Sequence, residues 1–164
     1  MSLYSRRCFG IILTATAIAG CGFTPIYGLK GGGTMLLGQI SMGPPKDRNT
    51  YLLKQRIEER LGQAPSGTWV LATSLTTENI GLGYTKDGKI TRYNITGSVD
   101  YTLQRVGSKE VSRQGKTQHF TSYSATGTTV ATLAAERDAR ARLMTILADQ
   151  IIDQLLLIAG DLRV

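Results

Sequence analysis

Between residues 92 and 103 the chain alternates without a break. Tyr93, Ile95, Gly97, Val99, Tyr101 and Leu103 stand against Arg92, Asn94, Thr96, Ser98, Asp100 and Thr102. A period of two held this long is the pattern of a strand with one buried and one wet face, as in an antiparallel sheet. Gly97 interrupts the apolar row without breaking the alternation, which leaves room for a helix side chain or a bend.

The flanking sequence supplies the partners for such a strand. Lys86-Asp87-Gly88-Lys89 precedes it, and Asp-Gly provides the positive φ angles of a tight hairpin turn. Before that turn, residues 69–77 read as a strand with Trp69, Leu71, Thr73 and Leu75 on one face, extending through Ile80 and Leu82 toward Tyr84. After it, Val106-Gly107-Ser108-Lys109 turns the chain into a polar strand over 111–124, suited to a sheet edge or to cover by another protein. A first strand is expected over 35–42, stopped by Gly43-Pro44-Pro45.

Two segments carry helical periodicity instead. Leu53, Ile57 and Leu61 recur every four residues within 51–61, with Asp47 or Asn49 as N-cap and Gly62 as stop. The charges of that segment, Lys54, Arg56, Glu58, Glu59 and Arg60, read as a solvated face. A long helix over 130–158 carries the row Leu143, Leu147, Ile151 and Leu155 and ends before Gly160. The order is β-α-β-β-β-α. The expected fold class is α+β, a four-stranded, mostly antiparallel sheet with two helices packed on one face.

The N-terminus has a different character. Arg6 and Arg7 precede a short apolar run over 8–17, followed by Ile18-Ala19-Gly20-Cys21. A basic n-region, an apolar h-region and small residues before a cut describe a secretory signal. The run falls short of the about 20 apolar residues that a membrane-spanning helix needs. Aliphatic-small-small-Cys resembles the lipobox of bacterial lipoproteins, which implies lipidation at Cys21, a covalent diacylglycerol and an N-acyl chain, and no other cofactor. The expected division is a signal peptide over 1–20, a lipidated tether over 21–33 and one domain over 34–164.

This division narrows the chemistry. Cys8 leaves with the signal and Cys21 carries lipid, so the domain keeps no thiol for a disulfide, a metal site or a nucleophile. His119 is the one histidine, too few for a multi-His metal site. No carboxylate pair stands in an apolar setting suited to acid/base work, and no enzymatic activity is expected. The formal charge of +7 falls to +5 once Arg6 and Arg7 are removed. In an exported protein such a charge suits lipid headgroups or phosphorylated glycolipids, and nucleic acid is not an expected partner. Candidate phosphate contacts are Arg92, Arg105, Lys109, Arg113 and Lys116 on or near the third and fourth strands. Arg137, Arg140 and Arg142 start the last helix. A surface that is merely soluble has the same composition.

Three ordered motifs add a resemblance. Cys21-Gly22-Phe23-Thr24-Pro25-Ile26-Tyr27-Gly28, Tyr93-Asn94-Ile95-Thr96-Gly97-Ser98-Val99-Asp100-Tyr101, and Tyr123-Ser124 followed by residues 131–139 resemble the lipopolysaccharide-assembly lipoproteins of the LptE type, the alphaproteobacterial branch above all. The resemblance implies an outer-membrane lipoprotein, with its domain facing the periplasm or inside a barrel lumen. Such a protein plugs and supports an LptD-type outer-membrane β-barrel during assembly of lipopolysaccharide into the outer leaflet. It implies lipopolysaccharide itself as a partner, but it places no lipopolysaccharide-contacting residue on this chain. The alternative is an accessory lipoprotein of another envelope lipid-transport complex.

Overall fold

A computed structural model describes residues 32–160 and Leu162. The expected signal peptide, Cys21 and the tether up to residue 31 lie outside the described residues. A single 3-10 turn, Gly32–Met35, leads into β1 (Ile40–Met42), α1 (Arg48–Leu61), β2 (Trp69–Tyr84), β3 (Ile90–Arg105), β4 (Val111–Ser124) and α2 (Thr129–Ile158). The strands form one sheet in the order β1-β2-β3-β4. β1 runs parallel to β2, and the other two pairings are antiparallel. The α+β class and the expected element order are what the chain adopts.

β3 is the centre of the sheet, and its alternation decides the layering. Ile95, Val99, Tyr101 and Leu103 are buried against the helices, while Arg92, Asp100 and their neighbours of the same parity face outward. Gly97 belongs to the inward row. A Cβ built there would stand 2.8 Å from Leu147 Cδ1 and 3.1 Å from Leu143 Cδ2. The gap read in the apolar row is therefore the seat of two leucines of α2. At the hairpin tip Gly88 takes φ +78°, as the Asp-Gly signal requires, and Thr85 N–H donates to Lys89 O at 2.9 Å.

α1 begins at Asp47. Its carboxylate accepts from Thr50 N–H at 2.7 Å, and the Thr50 hydroxyl accepts from Asp47 N–H at 3.0 Å, a reciprocal capping box. The Thr50 N–H, and the Thr50 hydroxyl donating to Oδ1 at 2.8 Å, hold the Asp47 carboxyl below the usual carboxylate range. Asn49 already lies inside the helix. Leu53, Ile57 and Leu61 are buried, and the N–H of Gly62 closes the helix on Glu58 O. α2 buries Leu143, Leu147, Ile151 and Leu155, together with Met144, Ala148 and Ile152. It lies between the sheet and α1, so the near-continuous apolar character of its second half has two surfaces to cover. Among the described residues no helix is long and apolar enough to cross a membrane.

Two expectations need correction. The first strand is shorter than the 35–42 read from the sequence, because Gly38 takes φ +66° and donates its N–H to Leu61 O at 2.6 Å. A left-handed residue breaks the extended backbone, and ladder pairing starts only at Ile40. Leu36 is buried all the same, from the turn and not from a strand.

The charged face of α1 is also not simply solvated. Arg56 grips Asp149 of α2 with two nitrogens, Nε to Oδ1 at 3.0 Å and Nη2 to Oδ2 at 3.1 Å, and Arg60 Nη1 adds a third bond at 3.2 Å. Partial burial pushes the Asp149 carboxyl upward, but the bonds from Arg56 and Arg60 outweigh it and hold the group below the usual range. Asp149→Asn should cost about 1–2 kcal/mol near neutral pH, as expected for a partly shielded bidentate pair. The sign in pH follows from the lowered value. The stabilisation is complete above the unfolded carboxylate value of about 3.9 and disappears as pH falls through the folded one. Urea midpoints of wild type and Asp149→Asn should therefore differ at pH 7 and converge in acid.

Candidate functional site

β3 carries Arg92 and Arg105 at opposite ends, 13 residues apart (105 less 92), which at about 3.3 Å per residue is roughly 40 Å. The five basic candidates therefore do not form one patch. Arg105, Lys109 and Arg113 gather at one end of the sheet, where β3 turns into β4 and Leu103 faces Arg113 in register. Lys116 lies further along β4, and Arg92 stands near the far end, its Nη2 donating to Ser122 Oγ at 3.2 Å.

Side-chain parity divides the group again. Lys116 is on the outer face and meets Asp100 across the strands at 3.8 Å, with the two side chains 60% and 62% exposed. Such an exposed pair contributes little to stability. Arg113 belongs to the other face of β4, close to Tyr101. Burial raises the Tyr101 phenol and the charge of Arg113 pulls it back. The Tyr101 hydroxyl donates to Gln154 Oε1 at 2.6 Å, and its ring lies over Gly115, where a Cβ would come within 2.5 Å of it. Arg113 thus stands at the rim of a rigid aromatic contact between β3, β4 and α2.

The basic start of α2 is largely internally matched. Arg140 donates twice to Glu136 Oε1, at 3.0 and 2.7 Å, and Arg142 pairs with Asp138, both four residues apart on the helix. Arg137 is exposed, with no partner among the described residues.

His119 is half-buried in the inward row of β4, opposite Gly97, with its ring 5.9 Å from that of Phe120. Among the described residues no carboxylate is paired with it. Among the described residues no group of three or more His, Cys, Asp or Glu could hold a metal ion.

The surface that the sequence did not single out is the outer face of the sheet as a whole. Both helices lie on the other side, so its cross-strand rows stand open. Among them are Ala72–Thr102–Gln114, Ser74–Asp100–Lys116, Thr76–Ser98–Gln118 and Ile80–Asn94–Ser122. A shallow cleft of about 500 Å³ runs across it, lined by Ser74, Asp100, Thr102, Gln114 and Lys116 among others. Hydroxyls and amides dominate, with few charges. A face of this kind hydrogen-bonds to a polar partner without the desolvation cost of burying many ions. The even-numbered residues of β3 were legible as wet. That they form one uncovered surface depends on where the helices pack.

The family model for lipopolysaccharide assembly, LptE, matches residues 37–155. The chain belongs to the LptE family. That match takes in every strand and α1, and most of α2. No curated protein matches the chain.

Solved structures share the fold at low identity. A protein from Caulobacter crescentus CB15 assigned as a lipoprotein is similar with a TM-score of 0.67 and 21% identity, over 79% of this chain and 96% of that one. Rare lipoprotein B from Shewanella oneidensis is similar with a TM-score of 0.57 and 18% identity, over 77% and 98%. A minor lipoprotein from Acinetobacter baumannii is similar with a TM-score of 0.52 and 17% identity, over 73% and 91%. As an LptE-family member the chain is an envelope lipoprotein of lipopolysaccharide assembly.

Proposed function

We propose that this LptE-family chain is an outer-membrane lipoprotein, acylated at Cys21, that seats inside an LptD-type β-barrel and supports insertion of lipopolysaccharide into the outer leaflet. The observation that carries the reading is the family match over residues 37–155, which spans nearly the whole described domain. The architecture supports it. A plug has to be a stable small domain with a polar surface that suits a polar barrel lumen. The open outer face of β2, β3 and β4, rich in hydroxyls and amides, is such a surface. The role requires binding and shape, not catalysis. Extraction of the tagged lipoprotein in mild detergent should bring down a barrel of outer-membrane size at one-to-one stoichiometry. Co-purification with an inner-membrane transporter instead would replace the reading with the accessory role.

Direct contact with lipopolysaccharide phosphates is the finer part of the proposal, and the geometry says how to test it. Arg113 and Lys116 lie on opposite faces of β4, so each is to be reversed separately. Arg113→Glu should weaken lipopolysaccharide binding about tenfold, the loss expected for one charge-assisted contact of about 1.4 kcal/mol. Lys116→Glu places a second carboxylate beside Asp100 and should act similarly if the outer face carries the contact. Unchanged binding in both variants, measured with immobilised lipopolysaccharide, removes these residues from the model.

A further inference from the structure

We propose that the end of the domain from which residue 32 leads back toward Cys21 is a membrane-contact face, shaped to rest in the headgroup region of a lipid bilayer. Met35 and Leu37, in the turns before β1, are 47% and 40% exposed, and Val106 in the β3–β4 turn is 58% exposed. Met35 and Leu37 meet at one place, with the β3–β4 turn beside it. An open cleft of about 810 Å³ at this end is lined by Met35, Leu37, Trp69, Arg105 and Leu162, among others. Val106 N–H donates to Thr68 O at 2.9 Å, which sets the β3–β4 turn against the rim of the cleft.

Apolar side chains surrounding a half-buried tryptophan, with Arg105 and Lys109 at the margin, is the composition of a surface that lies in the membrane interface. Glu110 beside Lys109 offsets part of the charge. Apolar contact, more than net charge, therefore supplies the attraction.

The course of the chain favours a bilayer over a protein as occupant. Cys21 precedes Gly32 by 11 residues (32 less 21), a reach of at most about 3.6 Å per residue, or roughly 40 Å. With acyl chains on Cys21, this end cannot leave the bilayer by more than that reach. The tether also makes docking of the face an intramolecular event at high effective concentration. The inference rests on the reading of Cys21 as lipidated, and it concerns the lipoprotein before or without a barrel partner.

The test uses Trp69, the only tryptophan of the chain. The full lipoprotein, purified from membranes, is placed in vesicles of phosphatidylethanolamine and phosphatidylglycerol whose chains carry bromine at defined depths. Trp69 emission should shift to the blue and be quenched most by bromines near the headgroups, the depth of about 5–10 Å typical of interfacial contact. Met35→Asp combined with Leu37→Asp, at two exposed positions, should abolish the quenching while the acyl chains keep the protein on the vesicle.

Equal emission from the wild type in brominated and plain vesicles overturns the proposal, and is what a cleft filled by residues 22–31 or by a protein would give. Quenching that survives the double substitution overturns it as well. Mass spectrometry of Cys21 separates the two readings. Quenching with an unmodified Cys21 sinks the anchor and keeps the face, whereas a lipidated Cys21 without quenching sinks the face.

Discussion

Gly97→Val should lower the stability of the domain by about 3 kcal/mol or more, at the upper end of the cost of overpacking a well-filled core. The reason is space and not backbone conformation, since Gly97 is absent from the glycines with positive φ. Its missing side chain is occupied by Leu147 and Leu143, the nearest leucine carbon standing 2.8 Å from where a Cβ would go. A valine adds two further carbons at the junction of β3 and α2, where the sheet and the long helix are pressed together. Gly97→Ala is the informative control. The near atoms are ends of leucine side chains that can turn by a few tenths of an ångström. An alanine also restricts the unfolded chain, a gain of about 0.4–1 kcal/mol that offsets part of the clash. Urea denaturation followed by circular dichroism should thus rank wild type, then Gly97→Ala, then Gly97→Val well below. A valine variant as stable as wild type would show that α2 does not lean on β3 at this point.

Leu147→Ala should cost about 3–5 kcal/mol, the range for a leucine removed from a fully buried site that collapses only in part. Leu147 is completely buried, and so are its helix neighbours Leu143, Met144, Ala148 and Ile151. Sheet on one side and α1 on the other leave little freedom to close the void. For a domain whose total stability is of the usual order, about 5–15 kcal/mol, this is a large share, and loss of the fold at growth temperature is the expected phenotype. The two sites also couple. With Leu147 truncated, the volume that excludes a side chain at 97 opens, so Gly97→Val in the Leu147→Ala background should cost less than alone. A coupling of about 1–3 kcal/mol is expected for residues in direct contact. Strict additivity of the two substitutions would contradict the contact.

Much of the fold was readable because the relevant physics is local. The alternation around Ile95, Val99 and Leu103 specifies a half-buried strand wherever it is placed, and the row Leu53, Ile57 and Leu61 specifies a helix stripe. Asp87-Gly88 places a turn by its backbone preferences alone. The choice between Asp47 and Asn49 as cap needed one more local fact. Thr50 sits three residues after Asp47 and returns the hydrogen bond, which Asn49 has no counterpart for in the structure.

The candidate site was readable only as a list of charges. Arg92 and Arg105 lie on the same strand and still end up about 40 Å apart by strand rise. Arg113 and Lys116 are close in sequence yet project to opposite sides.

By itself, then, the sequence determined the order of elements, the buried rows of β3 and the two helices, and the motifs that point to the LptE family, since each rests on neighbours within a few positions. Only the tertiary structure decided the rest. Asp149, which follows Arg56 by 93 residues, became that arginine's partner because α1 packs along α2. Gly38 was drawn into a left-handed turn by a carbonyl at the end of α1, and this shortened the first strand to Ile40–Met42. The outer sheet face stayed open because both helices went to the other side. These outcomes depend on groups far apart in the chain meeting in space, and no periodicity or spacing carries that information.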